Sequence, residues 1–418
     1  MKILVVGSGG REHAIVKKLS ESPHVDEVLC APGNGGIELD AKCYNLSATD
    51  TEGMIALARS AGAGLVFVAP DDPLALGMVD ALEAAGIRAF GPNKAAARIE
   101  GSKAFAKNLM KKYGIPSAAY EVFDDADDAK GYIRAQGAPI VVKADGLALG
   151  KGVYVCSTVN DACAAVDEIM LDKKFGAAGE RVIVEEFMTG PEVSVLCFTD
   201  SKTIVPMVSS QDHKRAYDSD KGPNTGGMGA FAPSPKYTPE LQKKVYDDIL
   251  VPTMQAMNAE GCPFRGILYV GLMLTKDGPK VLEYNARFGD PETQVVLPLL
   301  DSDFYEIIDA IMDERLAQVE IRWKPGFAAV VVMASGGYPV KYEKGYEIKG
   351  ISEAERKGTI VYHAGTRLRD GTFVTSGGRV LGVTALGDTL QEAVVNAYGG
   401  VSCIEFKNKY FRTDIGKK

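Results

Sequence analysis

The chain reads as an α/β protein in three parts: an N-terminal doubly wound parallel sheet, a central mixed α/β region, and a strand-rich α+β tail. Three observations predict this. Over residues 1 to about 100, short β-branched runs alternate with alanine-rich stretches of helical character, the order that builds a parallel sheet with helices on its faces. At "FGPNKAAARIEGSKAFAKNLMKKYGIP" the pattern turns to helical periodicity inside Gly/Pro boundaries. From about residue 325 strand-like runs dominate. With 418 residues the chain is too long for one ordinary core.

In order, "KILVV", "DEVLC", "LVFVA" and "IRAF" read as strands, with "EHAIVKKLS", "TEGMIALARS" and "PLALGMVDALEAA" as the helices between them. A small α/β unit over about 119–190 carries "PIVVKAD", "GVYVCS", the helix "VNDACAAVDEIM" and "RVIVEEF". Long strands ("EVSVLCF", "GILYVGLML", "KVLEYNA") and helices ("PELQKKVYDDILVPTMQAM", "SDFYEIIDAIM") follow, then the tail strands "GFAAVVVMAS", "GTIVYHAGT" and "VLGVTA". The expected domains are 1–101, 102–324 and 325–418, and no internal repeat is visible.

Composition excludes several classes. Apolar residues make up 46% and charged residues 24%, ordinary for a globular protein. A net charge of −8 argues against a nucleic-acid partner, which selects a basic excess. No apolar run approaches the roughly 18 residues of a membrane span, and "MKILVVGSGG" reads as a strand entering a turn rather than a signal peptide. Seven scattered cysteines without a C-x-x-C pair suggest reduced thiols and a cytoplasmic setting. His13, His24, His213 and His363 lie far apart in sequence, which disfavours a zinc site.

"GSGGREHA" places Gly7 and Gly9 before a helix but has Glu12 where a dinucleotide fingerprint needs its third glycine. The second strand ends "CAPGNGG" without the acid that binds a ribose, so a nicotinamide cofactor is disfavoured. The loops around Gly9, Gly10 and Asn34 remain either anion sites at strand ends or tight turns. In "IVVKADGLALGKGV", the interval from Gly146 to Gly150 is one residue short of a Walker A loop, and Gly152 replaces its Ser/Thr. A glycine turn joining two antiparallel strands fits better, a flap that folds Lys151 over phosphates. Lys143 on the apolar strand before it either meets an anion or snorkels from the strand end. "VIVEEFMTGPE" runs a strand into Glu185-Glu186-Phe187-Met188, then Glu192: a crossing able to hold a flat base and a ribose, or a solvated glutamate pair.

"VLEYNARFGDPETQ" is the most specific stretch. Glu283 and Asn285 share one strand face, a pair of oxygen donors suited to Mg²⁺. Arg287 continues that face, and Asp290 and Glu292 follow in a turn. Residues 209–235, "SQDHKRAYDSDKGPNTGGMGAFAPSP", lack apolar periodicity. They read as a long substrate loop carrying Asp212, His213, Lys214 and Arg215, or as a mobile insertion.

These residues together resemble the ATP-grasp ligases and, among them, the phosphoribosylamine–glycine ligase family. The resemblance runs through "GSGGREHA", "APGN", "EGSKAF", "KADGLALGKGV", "SQDHKR", "GPNTGGMGA", "RFGDPETQ", "HAGT" and "GGRVL". It implies a central ATP-grasp fold with a flap subdomain. The implied reaction is ATP-dependent joining of glycine to 5-phosphoribosylamine through glycyl phosphate, in purine biosynthesis, with Mg²⁺ or Mn²⁺. It further implies a monomer with small-molecule partners only. By resemblance, Lys103 and Lys143 hold ATP phosphates, Gly150, Lys151 and Gly152 form the flap, Glu185 to Met188 the adenine edge, Glu192 the ribose contact, and Glu283 and Asn285 the metal ligands. Arg287 and Lys143 are implied to balance transferring charge. Gly9, Gly10, Asn34, Asp71, Asp212, Lys214, Arg215, Asp290 and Glu292 are the expected substrate contacts. One departure is visible: Ala69-Pro70-Asp71 stands where relatives commonly show Gly-Pro-Glu, a shorter carboxylate. The other classes weighed are a dehydrogenase on the N-terminal sheet, a non-catalytic nucleotide sensor, and an ATP-grasp ligase for another carboxylate. The metal-face pair and the lysine set argue against the sensor.

Overall fold

A computed structural model describes residues 1–148 and 151–417. The first five strands form a parallel sheet: β1 (Lys2–Gly7), β2 (Glu27–Pro32), β3 (Lys42–Cys43), β4 (Leu65–Val68) and β5 (Ala89–Phe90), in the order 3-2-1-4-5. Ile3 to Val6 are fully buried, as a strand covered on both faces requires. The order reverses at β1, so the crevice beyond the carboxyl ends of β1 and β4 is the switch point where such sheets bind ligands. The residues just past those ends are Gly9 to Arg11 and Asp71. "PLALGMVDALEAA" is not one helix: it breaks into Asp71–Leu76 and Met78–Ala84 at Gly77, whose φ of +95° only glycine adopts freely.

The small unit is an antiparallel sheet of β6 (Tyr120–Phe123), β7 (Ile140–Ala144), β8 (Val153–Cys156) and β9 (Val182–Glu186), in the order 6-9-7-8. Helices Ala126–Gln136 and Val159–Val166 cover it through Ala129, Ile133, Ala162 and Val166. The glycine turn joins antiparallel β7 and β8 as expected. Gly150 lies outside the described residues.

β10 (Glu192–Asp200) and β11 (Ile204–Pro206) begin the central sheet. Residues 209–235 then depart from the expected loop. They form β12 (Gln211–Asp212), the hairpin β13 (Arg215–Tyr217) and β14 (Lys221–Asn224), and β15 (Gly229–Ala232). These strands are too short for a period of two to show, and β15, paired on one edge with β12, finds its other partner about a hundred residues later. β16 (Arg265–Thr275) and β17 (Gly278–Asn285) complete the central sheet, order 11-10-16-17. Pro239–Ala259 continues as helix past Pro252, because a wider π-turn at Tyr246–Leu250 comes first and Pro252 falls in the first turn of the next segment.

The tail adds β18 (Phe327–Ser335), β19 (Ile360–His363), the hairpin β20 (Thr366–Arg369) and β21 (Thr372–Thr375), β22 (Arg379–Gly387) and β23 (Lys409–Tyr410). Its sheet, 12-15-18-22-19 with β23 on β18, recruits β12 and β15 from the centre. One apolar cluster joins Leu4 and Val66 of the first sheet to Val195 and Val270 of the central sheet. Another joins Phe67, Phe198, Phe304 and Val330.

Two sequence-distant histidines meet at the joint of the first sheet and the tail. The His363 backbone N–H donates to His13 Nδ1 at 2.8 Å, so the His13 proton sits on Nε2, 2.8 Å from Asp40. Burial lowers the pKa of both rings, that of His363 to about 3. Among the described residues no cluster of three His, Cys, Asp or Glu side chains could hold a metal, and no helix is long and apolar enough to cross a membrane.

Candidate active site

A cleft of about 1150 Å³ opens between the flap sheet, the central sheet and the switch point of the first sheet. Of the described residues expected at the site, Gly9, Gly10 and Asn34 do not line it, and of the expected loop residues Asp212, Lys214 and Arg215 line it while His213 is buried away from it. Strand ends and one helix aim the side chains. Lys103 starts the helix Lys103–Tyr113, Lys143 lies on β7, and Glu185 to Met188 cover the end of β9 and its exit. Glu283 and Asn285 lie on β17, with Arg287, Asp290 and Glu292 just beyond it.

At the flap end, Lys143 is not the uncompensated charge its apolar neighbours suggest. Its ammonium lies 2.9 Å from Glu185 Oε2, and Lys107 lies 3.1 Å from the same oxygen. All three side chains are under a tenth exposed. Lys103 donates to the carbonyl of Gly146 at 2.9 Å, tying the helix to the start of the flap. Lys151 and Gly152 reach the cleft from its far side. Met188 packs with Ala118, Met273 and Leu282 as an apolar slot beside β9, while Phe187 is partly exposed.

In the middle, Lys214 stands between Glu192 (3.3 Å) and Glu283 (3.4 Å). Lys214 first, then Lys143 and Lys103, hold the Glu283 carboxyl below its ordinary pKa against the opposing effect of burial. Asp212 is pushed up to about 7, by burial first and then by Glu292, Glu192 and Glu283 outweighing Lys214. Glu192, Glu283 and Asp212 thus surround one ammonium, an excess of acidic groups that suits a divalent cation. Glu292 is buried at the cleft wall, and its Oε1 accepts from Tyr269 at 3.0 Å. Arg215 donates to the carbonyl of Gly222 across its hairpin.

At the switch point, Arg287 pairs with Glu100 at 2.8 Å and lies 3.9 Å from Asp71. Burial opposes ionisation of Asp71, but Arg287 and Arg11 outweigh it and lower its pKa. Arg287 Nε is buried with no hydrogen-bond partner among the described residues, a donor left for a ligand. Asp290 is bound by Arg379 at 3.0 Å and by Gln294 at 2.7 Å. The glycine loops differ from expectation. The Gly9 N–H is taken by Glu12 at 2.6 Å. A Cβ on Gly10 would meet Gln294 at 2.7 Å. The Asn34 amide donates to the carbonyls of Ser8 and His363, and its oxygen accepts from Gly36 and Ile37. These loops are small because other parts of the chain pack against them. Gly35 faces the Arg367 backbone, and a Cβ on Gly36 would strike the His363 ring.

Sequence reasoning missed Lys107, Glu100, Arg11 and Arg379. Lys107 was legible, being four residues from Lys103 and so on the same helix face. Arg379 was not, because only folding brings the tail to the cleft.

Sequence profiles of phosphoribosylglycinamide synthetase match three consecutive stretches: its N domain over residues 1–100, its ATP-grasp (A) domain over 101–293 and its C domain over 328–418. The chain belongs to the phosphoribosylglycinamide synthetase family. A phosphoribosylamine–glycine ligase of Nostoc is 52% identical over 421 residues, covering 100% of this chain and 99% of that protein. The chicken trifunctional purine biosynthetic protein adenosine-3 is also 52% identical, over 99% of this chain; the chain spans 42% of that longer protein. The crystal structure of the Thermotoga maritima phosphoribosylamine–glycine ligase superposes with a TM-score of 0.86 at 33% identity, covering 99% of this chain and 100% of that one. The biotin carboxylase domain of Hydrogenobacter thermophilus 2-oxoglutarate carboxylase, solved with MgADP, superposes at 0.75 with 17% identity over 98% of this chain and 91% of that one, a likeness of fold. Three parts with one cleft between them are thus the architecture of a phosphoribosylglycinamide synthetase.

Proposed function

We propose that the protein ligates glycine to 5-phosphoribosylamine at the expense of ATP, yielding the phosphoribosyl glycinamide, ADP and phosphate for purine biosynthesis. Membership of the family supports the reaction. The observation that carries the site is the setting of Glu283, a carboxylate whose pKa is lowered by lysines from three separate elements in one cleft.

The base of ATP enters the slot of Met188, Met273 and Leu282 beside Glu185 to Phe187, and Glu192 takes its ribose. Lys103, Lys143 and the flap residue Lys151 neutralise the phosphates. Glu283 and Asn285 would hold Mg²⁺ or Mn²⁺. The fit rests on the carboxylate excess around Lys214, and a set of one or two protein oxygens is the usual one for Mg²⁺, which completes its shell with phosphate and water. When bound, the ion offsets charge on the phosphate oxygens. A carboxylate oxygen of glycine attacks the γ-phosphorus and ADP leaves, giving glycyl phosphate. The amine of the ribosylamine then attacks the carbonyl carbon, phosphate departs, and the nitrogen loses its proton to solvent. Lys214, Arg215 and the free Nε of Arg287 orient the glycine carboxylate, with Asp71, Asp212 and Asp290 setting the charge around the amine substrate. No protein nucleophile takes part in this sequence; the chain contributes position and charge.

The test is ADP release with glycine and ribosylamine 5-phosphate each supplied or withheld. Full turnover with both is expected. ADP release indifferent to glycine would sink the reading.

A further inference from the structure

Burying two lysines and a glutamate together is expensive, and an apolar trio of the same volume is often no less stable. The trio Lys107, Glu185 and Lys143 therefore calls for a reason beyond folding. Both ammoniums share Glu185 Oε2, at 3.1 and 2.9 Å. The other oxygen, Oε1, is buried and has no hydrogen-bond partner among the described residues, and Glu185 lines the cleft. Lys103 and Lys107 project from one helix face. The first holds the start of the flap through Gly146, the second holds the end of β9 through Glu185.

We propose that Lys107 is a positioning residue for the nucleotide, holding Glu185 in place and leaving the Lys143 ammonium free to turn to the nucleotide's anionic groups. The inference rests on the reading of this end of the cleft as the ATP site. Without Lys107, Lys143 and Glu185 form a closed neutral pair, and each ligand contact of Lys143 competes with the full attraction of the carboxylate. With Lys107 present the trio carries one net positive charge at the wall of the cleft, and Glu185 stays compensated when Lys143 moves. The Glu185 carboxylate is held with Oε1 free to accept from a donor on the base. The groups facing Lys107 are Glu185 and Glu186 on β9, Lys143 on β7 and the Tyr120 ring on β6 at 5.6 Å, the ring that Lys111 of the same helix also faces. Burial draws the Lys107 pKa down to about 8, against the pull of Glu185.

The test compares the full-length chain with Lys107→Met and Lys107→Arg. Lys107→Met is expected to raise the KM for ATP about tenfold, roughly the loss of one charge-assisted contact, with the KM for glycine within about twofold. Its unliganded melting temperature stays at or above that of the wild type, because Lys143 still compensates Glu185. Lys107→Arg recovers most of the ATP affinity. In the wild type the KM for ATP climbs above pH 8 as Lys107 loses its proton; the arginine variant lacks that limb because a guanidinium stays charged. An unchanged KM for ATP in Lys107→Met, or equal rises for ATP and glycine, overturns the proposal. Should Lys107→Met fail to fold, the same alkaline limb in wild type and Lys107→Arg overturns it. A wild type without glycine-dependent ADP release would overturn the functional reading instead. Calorimetric ADP binding to the same variants then decides the role of Lys107, equal affinities counting against it.

Discussion

Glu283 is the residue on which the charges of the cleft converge. Glu283→Gln keeps the shape and removes the charge that three lysines share and that the proposed metal would use. Loss of such a group at a transferring phosphate costs about 10²–10³ in rate. We expect kcat to fall by that order while ATP affinity changes little, measured at saturating metal. A near-normal kcat would remove Glu283 from the metal site. Away from the cleft, His363 sets a pH dependence of stability. Its folded pKa, about 3, lies below the ordinary histidine value because its ring is buried. The unfolded chain therefore binds the extra proton between these values. The stabilisation is complete above about pH 6.5 and is lost as pH falls toward 3, at about 1.4 kcal/mol per pH unit for one group. His13 adds a contribution of the same sign. Urea denaturation between pH 5 and 7 should show a shallower slope in His363→Gln than in the wild type; identical slopes would contradict the neutral buried imidazole.

At the scale of elements, the flap and the helix facing it bring Lys151, Lys103 and Lys107 to the wall of one cleft. Lys151 is exposed at the flap, and its backbone N–H donates locally, to the carbonyl of Ala148. Phosphates would give its ammonium an anionic partner. Hydrogen exchange at Gly146 to Ala148 and at Lys151 and Gly152 should slow on adding a non-hydrolysable ATP analogue with Mg²⁺, since closing segments gain protection with ligand. Unchanged exchange at saturation would mean that the turn is not a flap. The β7–β8 turn was legible because two apolar strands flank it. The strands within residues 209–235 were not, since two to four residues carry no readable period and β15 is held by β18 about a hundred residues away.

For the whole molecule, the decisive feature is how the tail closes on the first sheet. The Gly33–Gly36 turn meets His363 and the Arg367–Leu368 backbone, and Asn34 bonds the His363 carbonyl. Gly36→Ala places a methyl against the imidazole without backbone strain, because its φ is −81°. Overpacking of this kind costs about 1–3 kcal/mol. The melting temperature should drop, while the upward shift produced by ATP stays as in the wild type because the nucleotide end is untouched. An unchanged melting temperature would show that the tail does not bear on this turn.

The sequence alone determined the parallel first sheet, the flap strands and the cluster around Glu283. Period, β-branching and spacing within a dozen residues are local quantities, and they act before any distant contact forms. What a charged or glycine residue faces is not local. Lys143 read as an unmatched charge, and only the approach of Glu185 on β9 and Lys107 on a helix compensates it. Gly9, Gly10 and Asn34 read as either anion sites or tight turns, and only the fold showed Glu12, Gln294 and His363 packed there. Arg379 joined the cleft because β18 and β22 of the tail pair into a sheet with β15 of the centre. Tertiary structure decided these points, since a burial cost is settled by the partners that folding brings to a residue, here from as few as three to more than three hundred residues away.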